Sequence, residues 1–131
     1  MASIFTRIIN GEIPCYKIAE DGNYFAFLDI SPLAKGHTLV VPKKETDYIF
    51  DLDNETLSGM MLFAKRVALA IDKSVPCKRV GIAVVGLEVP HAHIHLIPLI
   101  SDAINFNSPK LNLSKEELSE IANAISAALE D

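Results

Sequence analysis

The stretch "HAHIHLI", residues 91–97, alternates polar and apolar residues too regularly for a helix. Its period of two is that of an extended strand, in which successive side chains point to opposite faces. Ala92, Ile94 and Leu96 are therefore expected inside a core, while His91, His93 and His95 project together. Side chains two positions apart on a strand are anchored roughly 6.6 Å from one another. Neighbouring imidazoles at that spacing can act on one ligand.

The rest of the chain supplies further strands and the helices to cover them. "CYKIAED" (15–21), "YFAFLDI" (24–30), "HTLVVPKK" (37–44) and "RVGIAVVG" (79–86) are β-type runs. Asp21-Gly22-Asn23 makes a hairpin turn between the first two, and Pro32 and Gly36 lead into the third. "SIFTRIIN" (3–10) carries apolar residues at helical spacing and stops at Gly11, with Pro14 beyond. A long helix is expected over 54–72, with Asp53 as N-cap and Leu57, Met60, Ala64, Val67 and Ile71 as its core stripe. Glu55, Ser58, Gly59, Lys65, Arg66 and Asp72 form the opposite, polar stripe. Leu62 and Leu69 interrupt that stripe, which suggests contact with a second copy of the chain, two-fold pairing being the commonest oligomer. The last helix opens with a capping box, Ser114 and Glu117, and lines Leu118, Ile121, Ile125 and Leu129 along one face. Helix, three strands, helix, two strands, helix with hairpin-like links gives an α+β class, an antiparallel sheet with helices packed on it.

The 131 residues suffice for one domain, 1–131, and half of them are apolar. A net charge of −5 argues against a nucleic-acid partner, which needs a clustered basic face, but leaves room for a single nucleotide. No apolar run is long enough to span a bilayer, so no membrane partner is expected. The opening residues lack the order of a secretory signal. Cys15 and Cys77 have no framework spacing and read as free thiols of a reducing compartment, so a cytoplasmic location is expected.

Three of the four histidines share one strand edge, which argues against a chance outer face. Two chemical readings remain open from the residues. A His-x-His pair with a third imidazole can hold a catalytic zinc, although Glu88 is the only acid nearby to support a ligand. Alternatively, one imidazole is the nucleophile and its neighbour the acid, because close rings push one another's titrations apart. Histidine attacks phosphorus readily and leaves a phosphoramidate that water can open.

"HAHIHLI" fits the His-φ-His-φ-His-φ-φ pattern (φ apolar) that names the histidine-triad (HIT) family of nucleotide hydrolases and transferases. "SIFTRIINGEIP", "YFAFLDISPLAKGHTLVVPKK" and the triad resemble, in order, blocks of that family's Hint branch. The resemblance covers residues 3 to about 100 and takes in the fourth histidine, His37. It implies a five-stranded antiparallel sheet with flanking helices, paired into a homodimer. It also implies a phosphoramidase-like hydrolase that releases purine nucleoside monophosphates from a leaving group, often an amine, without metal or other cofactor. By position His93 would be the nucleophile on the α-phosphorus. His95 would contact the phosphate and protonate the leaving group, with His91 and His37 in support. Asp29 would accept the ribose hydroxyls, and Phe5, Ile8, Ile13, Phe27, Leu28 and Ile30 would form the apolar slot around the base.

The chain departs from the family pattern just before the triad, in "AVVGLEVPH". The usual Asn is missing, the loop is shorter, and Leu87 stands where Gln is common. Gly86, Glu88 and backbone N–H groups are left to hold the phosphate. Pro90 removes a backbone donor and favours an extended entry to His91. A nucleotide-binding regulatory module with reduced catalysis, or a metal-binding protein, stays as the alternative.

Overall fold

The computed structural model describes residues 2–130. Helix α1 (Ile4–Ile9) precedes strands β1 (Lys17–Glu20), β2 (Tyr24–Leu28) and β3 (Thr38–Pro42). A short 3-10 turn (Ile49–Asp51) leads into α2 (Asn54–Ser74), followed by β4 (Arg79–Ala83), β5 (Ile94–Leu99) and α3 (Lys115–Ala127). The five strands form one antiparallel sheet in the order β1-β2-β3-β5-β4. This is the expected α+β class. Among the described residues no helix is long and apolar enough to cross a membrane.

The alternation of side chains sorts the core into two layers. Tyr24, Ala26, Leu28, Val40, Ile94 and Leu96 pack with α2 and α3, through Met60, Ala64, Val67, Ile71, Leu118 and Ile125. Phe25, Phe27, Leu39 and Val41 point the other way and are covered by Phe5 of α1. That second layer is the face on which His95 lies, because its strand neighbours Ile94 and Leu96 belong to the first. Both helix starts read from the sequence are built as expected. Asp53 accepts the Thr56 N–H at 2.7 Å, and Ser114 and Glu117 complete a reciprocal capping box.

Four sequence expectations need correction. The strands are shorter at most ends than the apolar runs that announce them, and α2 runs two residues further than read. Strand β5 begins at Ile94, so His91 and His93 precede it instead of lying within it. The backbone there is satisfied off the ladder: the Ala92 N–H donates to Thr46 O at 2.7 Å and the His91 N–H to Val89 O at 2.8 Å. Gly59 does not belong to the outer polar stripe of α2. It lies beneath Tyr24, whose hydroxyl reaches across the helix to donate to Thr56 O at 2.9 Å.

A methyl at residue 59 would overlap the Tyr24 hydroxyl and sit 3.0 Å from its Cζ atom. Gly59→Ala should therefore destabilise the protein by about 1–3 kcal/mol, although alanine is the better helix former by about 1 kcal/mol. Denaturant unfolding of the Gly59→Ala and Gly59→Ala/Tyr24→Phe proteins checks this. The double variant should recover part of the loss, and an unchanged midpoint in the single variant would contradict the packing.

Candidate active site

His37, His93 and His95 line a cavity of about 440 Å³ on the α1 side of the sheet. Three different pieces of backbone deliver them. The loop from β2 to β3 carries Asp29 at one end and His37 at the other, closed by the Asp29 N–H donating to His37 O at 3.0 Å. His95 comes from β5, and His93 from the extended segment before it. The rings of His93 and His95 lie 4.9 Å apart, and those of His95 and His37 lie 5.2 Å apart.

His91 is elsewhere. Its ring is fully buried against Phe5, with centroids 5.8 Å apart, and both its nitrogens are engaged. Nε2 faces Pro42 O at 2.7 Å and Nδ1 faces Ser3 Oγ at 2.7 Å. Three imidazoles projecting side by side are therefore not what the fold builds. The sequence put His91 on the same strand face, but the strand has not yet begun there.

The hydrogen-bond partners assign each proton, since a carbonyl only accepts and a backbone N–H only donates. Facing Pro42 O, His91 must carry its proton on Nε2, so Nδ1 accepts from the Ser3 hydroxyl. His93 places Nδ1 2.8 Å from His91 O, so Nδ1 holds the proton and the Nε2 lone pair is left for chemistry. His37 Nδ1 accepts the Leu33 N–H at 3.1 Å, which puts the His37 proton on Nε2. That N–H donates to His95 Nδ1 at 3.0 Å, so His95 carries its own proton on Nε2. One ring offers a lone pair and its neighbour a proton.

Solvent exclusion keeps the flanking rings neutral. Burial, with smaller contributions from the charges of Lys110 and His93, lowers the His37 pKa from 6.5 to about 4. Burial and then the neighbouring His93 and His37 lower His95 to about 4, with Asp29 opposing. His91 is lowered as well, again chiefly by burial. Asp29 is pushed up by burial against the Ser31 N–H, which donates to its Oδ1 at 2.9 Å. Its Oδ2 lies 3.7 Å from His37 Nε2.

Asp29, His37 and His95 have ligand atoms within 4.8 Å of one another, the spacing of a metal cluster. The proton arrangement does not suit an ion. A neutral histidine bound to metal through Nε2 keeps a proton on Nδ1 and donates it, whereas His37 Nδ1 faces a backbone donor.

The structure brings some of the expected nucleotide contacts to the cavity and leaves others out. Phe5, Asp29, Gly86 and Glu88 line it, together with Leu87. Leu28 points through the opposite face of the sheet into the helix layer, where a ligand against the histidines cannot touch it. Phe27 is buried beneath Phe5, at a centroid distance of 5.6 Å, and supports the wall instead of forming it. Ile8 packs at the margin of that cluster, Ile13 is half-buried outside the lining, and Ile30 is 68% exposed beyond the end of β2. Phe106 and Lys110, which sequence reasoning missed, also line the cavity. They sit in an irregular segment after β5 with no period or motif to signal them.

A model of the HIT domain matches residues 10–101. The chain is 32% identical to the adenosine 5'-monophosphoramidase hnt1 of Schizosaccharomyces pombe, over 98% of this chain and 99% of that one. Among solved structures it is similar to a Hit-like protein of Bartonella henselae (35% identity, TM-score 0.84, 97% and 96% covered). It is also similar to a zinc-bound histidine triad family protein of Mycobacterium smegmatis (30% identity, TM-score 0.80, 98% and 93% covered).

The neutral, buried pair makes a prediction about acid. Unfolded histidine titrates near 6.5, while folded His37 and His95 do so near 4. Between these values the unfolded chain binds more protons. Stability is complete above about pH 6.5 and falls as the pH drops toward 4, by about 2 kcal/mol per ring at pH 5 before coupling of the two. Urea unfolding at pH 7 and pH 5 measures the difference, and His37→Gln should reduce it. Equal stability at the two pH values would contradict the burial of neutral rings.

Proposed function

Because the chain belongs to the HIT-domain family, we propose that it is a nucleotide hydrolase or transferase of phosphoramidase type, acting through a covalent nucleotidyl intermediate on His93. The observation that carries this reading is the His93 Nδ1–H donated to His91 O, which leaves Nε2 free on a ring whose centroid lies 4.9 Å from that of His95. In the proposed step, His93 Nε2 forms a bond to the α-phosphorus of a purine nucleoside monophosphate derivative. The bond to the leaving nitrogen breaks and its electron pair departs with the amine. His95 Nε2 supplies the proton that the amine takes up; the anionic phosphate raises the affinity of that ring for a second proton, which enters from solvent at Nδ1 as the His37 Nε2–H bond to that atom gives way. Water then attacks phosphorus, returns a proton to His95 and restores His93. Asp29 accepts from the ribose, and Phe5 and Leu39 offer the base an apolar wall. No metal or other cofactor is required in this scheme.

The pairing of two copies fits the same reading. A groove of about 970 Å³ lies away from the histidines, walled by Tyr48, Phe50, Met61 and Leu62 on one side and Val84, Val85 and Leu87 on the other. Leu62 is 67% and Leu69 49% exposed, so within the described residues no tail covers them. β4 is the adjacent open edge of the sheet, with Ile82 half-exposed. Such an area of apolar surface suits a two-fold homodimer through α2 and β4.

Two measurements test these readings. His93→Ala should abolish turnover of an adenosine phosphoramidate, with a loss of several powers of ten, while AMP affinity holds within about threefold. A nucleotidyl adduct trapped on the wild type should map to His93. Retention of more than about a tenth of the rate, or an adduct on His95, would refute the nucleophile. AMP binding without any wild-type turnover would instead favour a regulatory binding module. Light scattering should give twice the chain mass, and Leu62→Asp should halve it; a monomeric wild type would end the dimer proposal.

A further inference from the structure

A nucleotide brings negative charge into a cavity that is poor in positive charge. The loop at 84–90, "VVGLEVP", has no Asn, Gln, Ser, Thr, Lys or Arg side chain to donate to a phosphate. Glu88 lines the cavity as a carboxylate and can help only through its backbone N–H. Asp29 adds a second carboxylate, and His37 and His95 are neutral near pH 7. Among the described lining residues, one carries a permanent positive charge: Lys110.

Lys110 is held there by contacts at both ends of its segment. The Leu111 N–H donates to Pro32 O at 2.8 Å, tying the segment to the loop that bears Asp29 and His37. Lys110 Nζ donates to Phe106 O at 2.6 Å, and the Phe106 ring meets His95 edge-on at 4.9 Å. One proton of the ammonium is used in that bond, and two are left to donate. It lines the same cavity as Asp29, His37, His93 and His95, and its charge works against burial at Asp29 and with it at His37 and His95.

We infer that Lys110 is the phosphate-binding cation of this site, replacing donors that the short 84–90 loop does not provide. The inference rests on the nucleotide reading above and extends it to a residue outside the matched family region, 10–101. A charge-assisted bond to a phosphoryl oxygen orients the phosphorus for His93 and offsets charge that builds as the leaving group departs. The base and ribose are bound without it. The site should therefore recognise phosphate and nucleoside through separable groups.

Calorimetric titration of AMP and of adenosine, each into the wild type, Lys110→Met and Lys110→Arg, tests this, with phosphoramidate turnover measured alongside. Lys110→Met should weaken AMP by roughly tenfold or more, keep adenosine within about twofold, and lower kcat/KM by roughly ten- to a hundredfold. Lys110→Arg should restore most of both losses, as arginine binds phosphate equally well. AMP affinity unchanged in Lys110→Met, or adenosine weakened as much as AMP, overturns the inference while a working wild type leaves the nucleotide reading standing. A wild type that binds neither AMP nor adenosine overturns both.

Discussion

The position of every imidazole proton at this site is dictated by a backbone group. Pro42 O fixes the proton of His91, His91 O fixes that of His93, and the Leu33 N–H fixes that of His37 and, through it, His95. These groups have no other protonation state, so the tautomers are built into the chain path and not chosen by solvent. His91 is the structural centre of this arrangement. Its ring joins α1, through the N-cap Ser3, to the end of β3, while its carbonyl holds His93. Glu45 completes the join by accepting from the Thr6 hydroxyl at 2.6 Å and from the Ser3 N–H at 2.7 Å. Those two bonds, the hydroxyl foremost, hold its carboxyl at about 2. The six-residue α1 is too short to persist alone, and the cluster and the Phe5 contacts keep it over the sheet.

Burial does two things to the histidines at once. It depresses the pKa of His37 and His95, which keeps their single protons in place at neutral pH. It also denies a bound anion the help of water, so any charge brought in by a ligand must be met by the protein. The sheet end supplies carboxylates and neutral rings, and the 84–90 loop is apolar apart from Glu88. Compensation falls to a side chain from the segment after β5, a part of the chain with no regular structure of its own.

The long helix shows how far a periodic pattern can be trusted. The core stripe of α2 is as read, with Met60, Ala64, Val67 and Ile71 fully buried and Leu57 at its margin. Gly59 falls in the polar stripe by sequence because glycine has no side chain to reveal what lies over it. Tyr24, thirty-five positions away in the chain, is what does. The exposure of Leu62 and Leu69 was also visible as a break in the polar stripe, whereas the neighbouring β4 edge and the groove between them were not.

Local rules acting over a few residues determined the elements. Capping by Asp53 and Ser114, the turn at 21–23 and the alternation at 92–96 are all short-range chemistry, and each was legible. The histidine pattern, with its family resemblance, also indicated which side chains matter. Which of them meet was decided by the fold. Alternation put His91, His93 and His95 on one face, but β5 starts at Ile94 because the preceding backbone groups bond to Thr46 and Val89 instead of a ladder. His91 consequently turns to Ser3 and Pro42, and His37, from the end of the β2–β3 loop, takes the place beside His95. Alternation along β2 sends Leu28 to the helix side, opposite Phe27, whereas Lys110 entered the cavity through the contact of Leu111 with the distant Pro32. Hydrogen-bond partners and opposing faces are relations between distant segments, and a pattern read along the chain contains only neighbours.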